Sequence, residues 1–81
     1  NKAVPAGELD AAVKGYTDFY AKAPTKSIGL IKKMLNKAQT ASLDEMLDYE
    51  AYCQEIAGSS QDYKEGVQAF LEKRKPNFQG K

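Results

Sequence analysis

Ser42-Leu43-Asp44-Glu45-Met46-Leu47-Asp48-Tyr49-Glu50-Ala51-Tyr52-Cys53-Gln54-Glu55-Ile56-Ala57-Gly58 reads as one complete helix with both ends marked. Ser42 and Glu45 have the spacing of a capping box, in which the Ser hydroxyl accepts an orphan backbone N–H and the Glu three residues on reaches back to the cap's own N–H. Behind this boundary Leu43, Met46, Leu47, Tyr49, Cys53, Ile56 and Ala57 recur at helical spacing, and Gly58 supplies a C-terminal stop.

On the N-terminal side, Ile28, Leu30, Ile31, Met34, Leu35 and Ala38 form a second periodic run. Pro24 opens it, because proline suits a first turn and pushes the residue before it out of the helical region. Before Pro24, Leu9, Ala12, Val13, Tyr16, Tyr20 and Ala23 repeat at spacings of three and four, with Glu8 and Asp10 where negative charge suits the helix dipole. On the C-terminal side, Ser59-Ser60-Gln61-Asp62 offers a fresh N-cap, and Tyr63, Val67, Phe70 and Leu71 line one face of a last helix. Lys73-Arg74-Lys75 would sit at its end and compensate the dipole, and Pro76 stops it. No stretch alternates as a strand does. The expected fold is all-α, a small bundle of about four helices at roughly 7–22, 25–40, 43–57 and 60–74, with a short irregular tail at 76–81 that should be loosely held.

Composition excludes much chemistry. The 81 residues contain no His and no Trp, and Cys53 is the only cysteine. Ser-His-Asp and Cys-His nucleophile systems, a zinc cluster and an internal disulfide are therefore all outside this sequence. A domain of this size hides only about 60–70% of its unfolded surface, so stability rests on packing or on a partner. Twelve Lys and Arg against eleven Asp and Glu leave a net charge of +1, which gives no general reason to expect nucleic acid or an anionic membrane. No apolar run approaches a spanning helix or a signal sequence, and a soluble cytoplasmic chain is expected.

Charge is nonetheless segregated. Residues 22–37 carry five Lys and no acid, whereas residues 44–55 carry Asp44, Glu45, Asp48, Glu50 and Glu55 and no base. The simpler reading is attraction between consecutive antiparallel helices at about 0–1 kcal/mol per exposed pair; the alternative is a lysine face for phosphate or an acidic partner. Glu50 falls inside the apolar stripe, where a partly buried carboxylate hydrogen-bonded to Gln54 is expected; a catalytic acid would need a second group and a pocket. Cys53 reads as a small buried hydrophobe. Gly66 and Gly29, both inside helices, suggest close approach by another segment. No catalytic constellation and no metal or cofactor site emerges from these residues.

Two stretches carry a resemblance. Glu65-Gly66-Val67-Gln68-Ala69-Phe70-Leu71-Glu72-Lys73-Arg74-Lys75-Pro76-Asn77-Phe78 resembles the ending of the enoyl-CoA hydratase/isomerase (crotonase) family, with its E-G-x-x-A-F-x-E-K-R-x-P-x-F pattern. Asn1-Lys2-Ala3-Val4-Pro5 resembles the exit from that family's catalytic core, and Ala23-Pro24, Lys32-Lys33 and Glu50 stand where its pattern would put them.

The resemblance implies that residues 1–81 form a single C-terminal helical domain cut from a longer enzyme, with residues 1–6 a remnant of the core exit. It implies that the oxyanion-hole amides and catalytic acids lie upstream, so that this piece is not catalytic alone. It would act as a lid over the active site and contribute to a trimer or hexamer, with the missing core and neighbouring subunits as partners. The parent would act on acyl-CoA thioesters, in fatty acid or related metabolism. Phe70 and Lys73 would approach the adenine and phosphate end of CoA bound to a neighbouring subunit, against the ordinary readings of Phe70 as core and Lys73 as a solvated cation. The isolated piece should self-associate. The rival reading is a free-standing helical module that binds a protein partner.

Overall fold

The computed structural model describes residues 1–81. A single 3-10 turn, Ala6–Glu8, leads into α1 (Leu9–Ala21), followed by α2 (Thr25–Ala38), α3 (Leu43–Gly58) and α4 (Gln61–Leu71), with no strand. The four helices stand where the periodicity predicts them. None is long and apolar enough to cross a membrane.

Local chemistry fixes the boundaries. Ser42 Oγ accepts from the Glu45 N–H at 3.2 Å while the Glu45 carboxylate accepts from the Ser42 N–H at 2.8 Å, completing the expected capping box. That backbone hydrogen bond, with the Ser42 hydroxyl second, holds the Glu45 carboxyl below its ordinary range. Ser60 is only 3% exposed and joins two helices: its hydroxyl donates to the Ala57 carbonyl at 2.6 Å and accepts from the Tyr63 N–H at 3.0 Å. One side chain thereby satisfies an end of α3 and the start of α4.

The helices pack sparingly. α2 lies against α3 and α3 against α4, whereas α1 has substantial contacts only with the turn that precedes it. The buried apolar residues are Ala23, Cys53 and Ala69, and no large side chain is fully buried. The molecule measures 45 × 39 × 18 Å with a radius of gyration of 16.0 Å, against about 12 Å for a compact chain of this length. Its accessible surface is 6710 Å², about 1,900 Å² more than a folded monomer of this mass exposes. The four helices form an open plate.

Several sequence expectations are corrected. No ion pair joins the lysines of α2 to the acids of α3; the ion pairs are Lys14 with Asp18 and Arg74 with Glu65 and Glu72. The Lys37 ammonium instead lies 5.3 Å from the centre of the Tyr49 ring. Glu50 is exposed, at the mouth of a crevice between α2 and α3, and makes no hydrogen bond to Gln54. Gly66 does meet another segment, with the Phe78 ring 3.5 Å from where a Cβ would be, but Gly29 faces open space.

The last helix ends at Leu71, three residues before position 74, because the chain reverses there. Lys73 takes a left-handed φ of +53°, its N–H donates to the Phe70 carbonyl at 3.3 Å, and the Arg74 N–H donates to the Ala69 carbonyl at 3.0 Å. This is the Schellman pattern, with Lys73 at the position glycine usually takes.

The tail is irregular, as expected, but it is not loose. Both oxygens of Asp62, a residue 3% exposed, accept tail N–H groups: Oδ1 from Gln79 at 2.7 Å and Oδ2 from Gly80 at 2.8 Å. The Asp62 N–H, an orphan donor of the first turn of α4, reaches the Lys81 carbonyl at 2.9 Å. Glu65 Oε1 accepts from the Asn77 N–H at 2.8 Å. Gly80 has φ +76°, and a Cβ there would stand 2.5 Å from Thr25 Oγ1, so the tail also abuts the start of α2.

Two outcomes follow for this latch. Asp62→Ala leaves the tail amides without their acceptors at a cost of about 1–3 kcal/mol, so the amides of Gln79 and Gly80 should exchange with solvent about five- to 150-fold faster; unchanged protection would contradict the latch. The hydrogen bonds from Arg74, with the Asn77 N–H second, hold the Glu65 carboxyl down at about 2. A depressed folded-state value contributes stability that is complete above the ordinary value of 4.5 and is lost as pH falls through about 2. Exchange of the Asn77 amide, corrected for intrinsic rate, should therefore accelerate only on acidification through that window.

Candidate functional site

The two residues singled out for ligand contact lie at the C-terminal end of α4. Phe70 is 82% exposed, so its ring is not core. It stands on the rim of an open groove of about 380 Å³ whose walls include Pro24 and Ser27 at the start of α2, Tyr63 and Val67 on α4, and Phe78 from the tail. The docked tail is thus one wall of the groove, and Asp62 and Gly66 at its base are the residues that dock it. Lys73 follows one turn later, exposed, with no ion-pair partner, at the left-handed position of the helix stop.

Around Lys73 the other charges neutralise one another. Arg74 Nη1 and Nη2 donate to the two oxygens of Glu65 at 2.6 and 3.0 Å, and Nε donates to Glu72 Oε2 at 2.5 Å. Glu72 Oε1 accepts from Gln68 Nε2 at 2.6 Å. Gln68 first, then Arg74, hold the Glu72 carboxyl below its usual range, and the Glu65 and Glu72 carboxylates hold the Arg74 guanidinium more firmly in its charged form. Of the run Lys73-Arg74-Lys75, the two lysines keep free ammonium groups and the arginine does not. An exposed aromatic face beside an unpaired cation can hold a planar ring and an anionic group attached to it.

Aromatic rings also meet free lysines at Lys37, which lies over the Tyr49 ring, and at Lys2, beside the aromatic groove of α1. Glu50 opens onto a crevice of about 260 Å³ among Leu30, Met34, Cys53 and Tyr63, with no second acid in its lining. No three His, Cys, Asp or Glu side chains gather as a metal site would require. On α1, Ala11, Ala12 and Gly15 with Tyr16, Phe19 and Tyr20 line an apolar groove of about 490 Å³. Asp62, Glu65 and Arg74, which hold the last turn and the tail, are not marked as partners by the sequence. The available signals were an acid in a first turn and an Arg nine positions beyond a Glu, neither specific enough to pair them.

The chain as a whole is similar to known proteins. The family model for enoyl-CoA hydratase/isomerase matches residues 1–81. The chain is 54% identical over 61 residues to 1,2-epoxyphenylacetyl-CoA isomerase of Escherichia coli (strain K12), a match covering 75% of this chain and 23% of that protein. It is 35% identical over 80 residues to a probable enoyl-CoA hydratase of Rhodobacter capsulatus, covering 99% of this chain and 31% of that one. A crystal structure of an enoyl-CoA hydratase from Geobacillus kaustophilus HTA426 superposes with a TM-score of 0.88 at 32% identity, over 95% of this chain and 29% of that one. The chain thus spans less than a third of the length of these relatives. Sequence and helix arrangement agree over nearly the whole of its length, and the chain belongs to the enoyl-CoA hydratase/isomerase family.

Proposed function

We propose that these residues are the C-terminal lid and oligomerisation region of an enoyl-CoA hydratase/isomerase family enzyme that acts on acyl-CoA thioesters in the cytoplasm, and that they are not catalytic alone. The observation that carries this reading is the surface: about 1,900 Å² beyond what a monomer of this mass exposes, on a plate with no fully buried large side chain. That excess, carried by one chain, is about twice the 600–1,000 Å² that each partner contributes to a standard interface. A region that covers a core on one face and a neighbouring subunit on another accounts for it. The relatives' names, an isomerase and a hydratase of CoA thioesters, support the substrate class.

In the chemistry of such an enzyme, two backbone N–H groups hold the thioester oxygen as negative charge develops on it, and carboxylates move the proton or water. The part assigned to this chain is different. α1 and α2 present apolar faces, including Tyr16, Phe19, Ile31 and Leu35, that exclude water when covered. Phe70 offers its face to the adenine of CoA held by a neighbouring subunit, and Lys73 pairs with its phosphates.

The first test is the reading frame upstream of Asn1. It should encode a long α/β core, and a start codon immediately before Asn1 would instead favour a free-standing interaction module. In the full-length product, Phe70→Ala and Lys73→Ala should each raise KM for an acyl-CoA about tenfold with kcat little changed, as expected for stacking worth about 1–3 kcal/mol and for a charge-assisted contact. Equal KM values would remove both residues from the CoA site. The isolated 81-residue chain, with both covering surfaces absent, should sediment as a self-associated species at high concentration; a strict monomer would contradict the interface reading.

A further inference from the structure

Resting on the reading of Lys73 as a phosphate contact, we propose that Arg74 is a positioning residue that fixes Lys73 at the left-handed helix stop, and is not itself a ligand for the phosphates. By residue type alone the opposite assignment would be natural, since a guanidinium matches phosphate better than an ammonium does. The geometry reverses it.

Lys73 is the one residue other than glycine with a positive φ. An L-residue there crowds its Cβ against the backbone, so the conformation persists only where the surroundings over-determine it. Arg74 supplies that determination from both directions. Its backbone N–H closes the Schellman pair on Ala69. Its side chain reaches back to both oxygens of Glu65, two turns earlier on α4, and through Nε to Glu72, the residue immediately before Lys73. Nη1 also donates to the Lys75 carbonyl at 3.2 Å, so the side chain is tied to the chain on both sides of Lys73, at Glu72 before it and at Lys75 two positions after it. Glu65 completes the frame by accepting the Asn77 N–H, which directs the chain into the docked tail.

The same contacts disqualify Arg74 as a phosphate ligand. Four of the five guanidinium N–H groups are engaged within the chain, and two carboxylates flank the fifth. A phosphate approaching Arg74 would meet the charge of Glu65 and Glu72. Lys73 has no such neighbour in contact and keeps three free donors. The sequence Glu72-Lys73-Arg74 therefore divides its labour: an acid and an arginine form the frame, and the lysine between them is what the frame presents.

The test uses the full-length enzyme and two substrates with the same acyl group, one a CoA thioester and one a pantetheine thioester that lacks the adenosine and its phosphates. The readout is selectivity, the ratio of kcat/KM for the first to that for the second. Lys73→Ala should lower selectivity about tenfold. Arg74→Lys, which keeps the cation but cannot form the fork, and Arg74→Ala should both lower it about five- to tenfold, and Lys73→Ala combined with Arg74→Ala should fall no further than Lys73→Ala alone. Glu65→Gln, which loses the anionic partner and not the cation, should move selectivity in the same direction. Retention of selectivity in Arg74→Lys overturns the proposal, and so does a double variant whose losses multiply to about a hundredfold, which would make Arg74 an independent contact. Equal losses with both substrates also overturn it, by reducing Arg74 to general stability. If Lys73→Ala leaves selectivity intact, the phosphate reading of Lys73 fails, an outcome distinct from failure of Arg74 alone.

Discussion

A layer 18 Å thick cannot enclose the side chains of its own helices, each of which is about 10–12 Å across. Burial is then confined to a few small apolar residues, Ala23, Cys53 and Ala69, and to Ser60 and Asp62 at the start of α4. No large apolar side chain is fully buried. Hydrophobic burial, the dominant favourable term in most domains, is the term this chain has least of. The apolar stripes are still written at helical spacing, so they are stripes for surfaces that lie outside these residues.

With so little core, definition comes from short polar contacts. The Ser42–Glu45 box starts α3, the Ser60 hydroxyl couples the end of α3 to the start of α4, and Asp62 and Glu65 gather the tail against α4. Such contacts contribute about 0.5–1.5 kcal/mol each, which is small against the conformational entropy of the chain but large against its alternatives at a given turn. They specify the path of the backbone more than they stabilise it. The tail shows how: Asp62 accepts two N–H groups and donates its own, so one residue fixes three tail positions and, through Phe78, one wall of the groove beside Phe70.

This distribution also explains what the sequence disclosed. Helices governed by local rules were legible: the capping box at Ser42, the serine cap before α4, the break at Pro24 and the close approach at Gly66. Apart from that approach to Gly66, contacts between segments distant in the chain were not. Glu50 read as half-buried because its stripe implied a covering partner, and no segment within these residues covers it. The lysines of α2 and the acids of α3 read as mutual partners, yet no ion pair forms between the two helices. Lys73-Arg74-Lys75 suits a helix terminus and so predicts an end three residues beyond Leu71, and nothing in the run announces a left-handed lysine. The tail looked featureless because its order is conferred by backbone N–H groups, which every sequence has, meeting two acids of α4. At the candidate site, Phe70 and Lys73 were visible only through a family pattern; periodicity alone would have placed Phe70 in a core.

An open plate whose backbone is set by caps and clamps has one further property. Association costs the ordering of whatever is still mobile at the interface, at about 0.5–1.5 kcal/mol for each rotamer-rich side chain and more where the backbone must also be fixed. Here the turn at Lys73, the groove beside Phe70 and the docked tail are already held by contacts internal to the chain, none of which needs the covering surface to form. Covering the plate therefore orders side chains and little main chain, so more of the apolar burial remains as net binding free energy. The same separation keeps the charged end distinct from the apolar faces. Arg74, Glu65 and Glu72 cancel locally, and the field beyond that end of α4 is set by the free ammonium groups of Lys73 and Lys75.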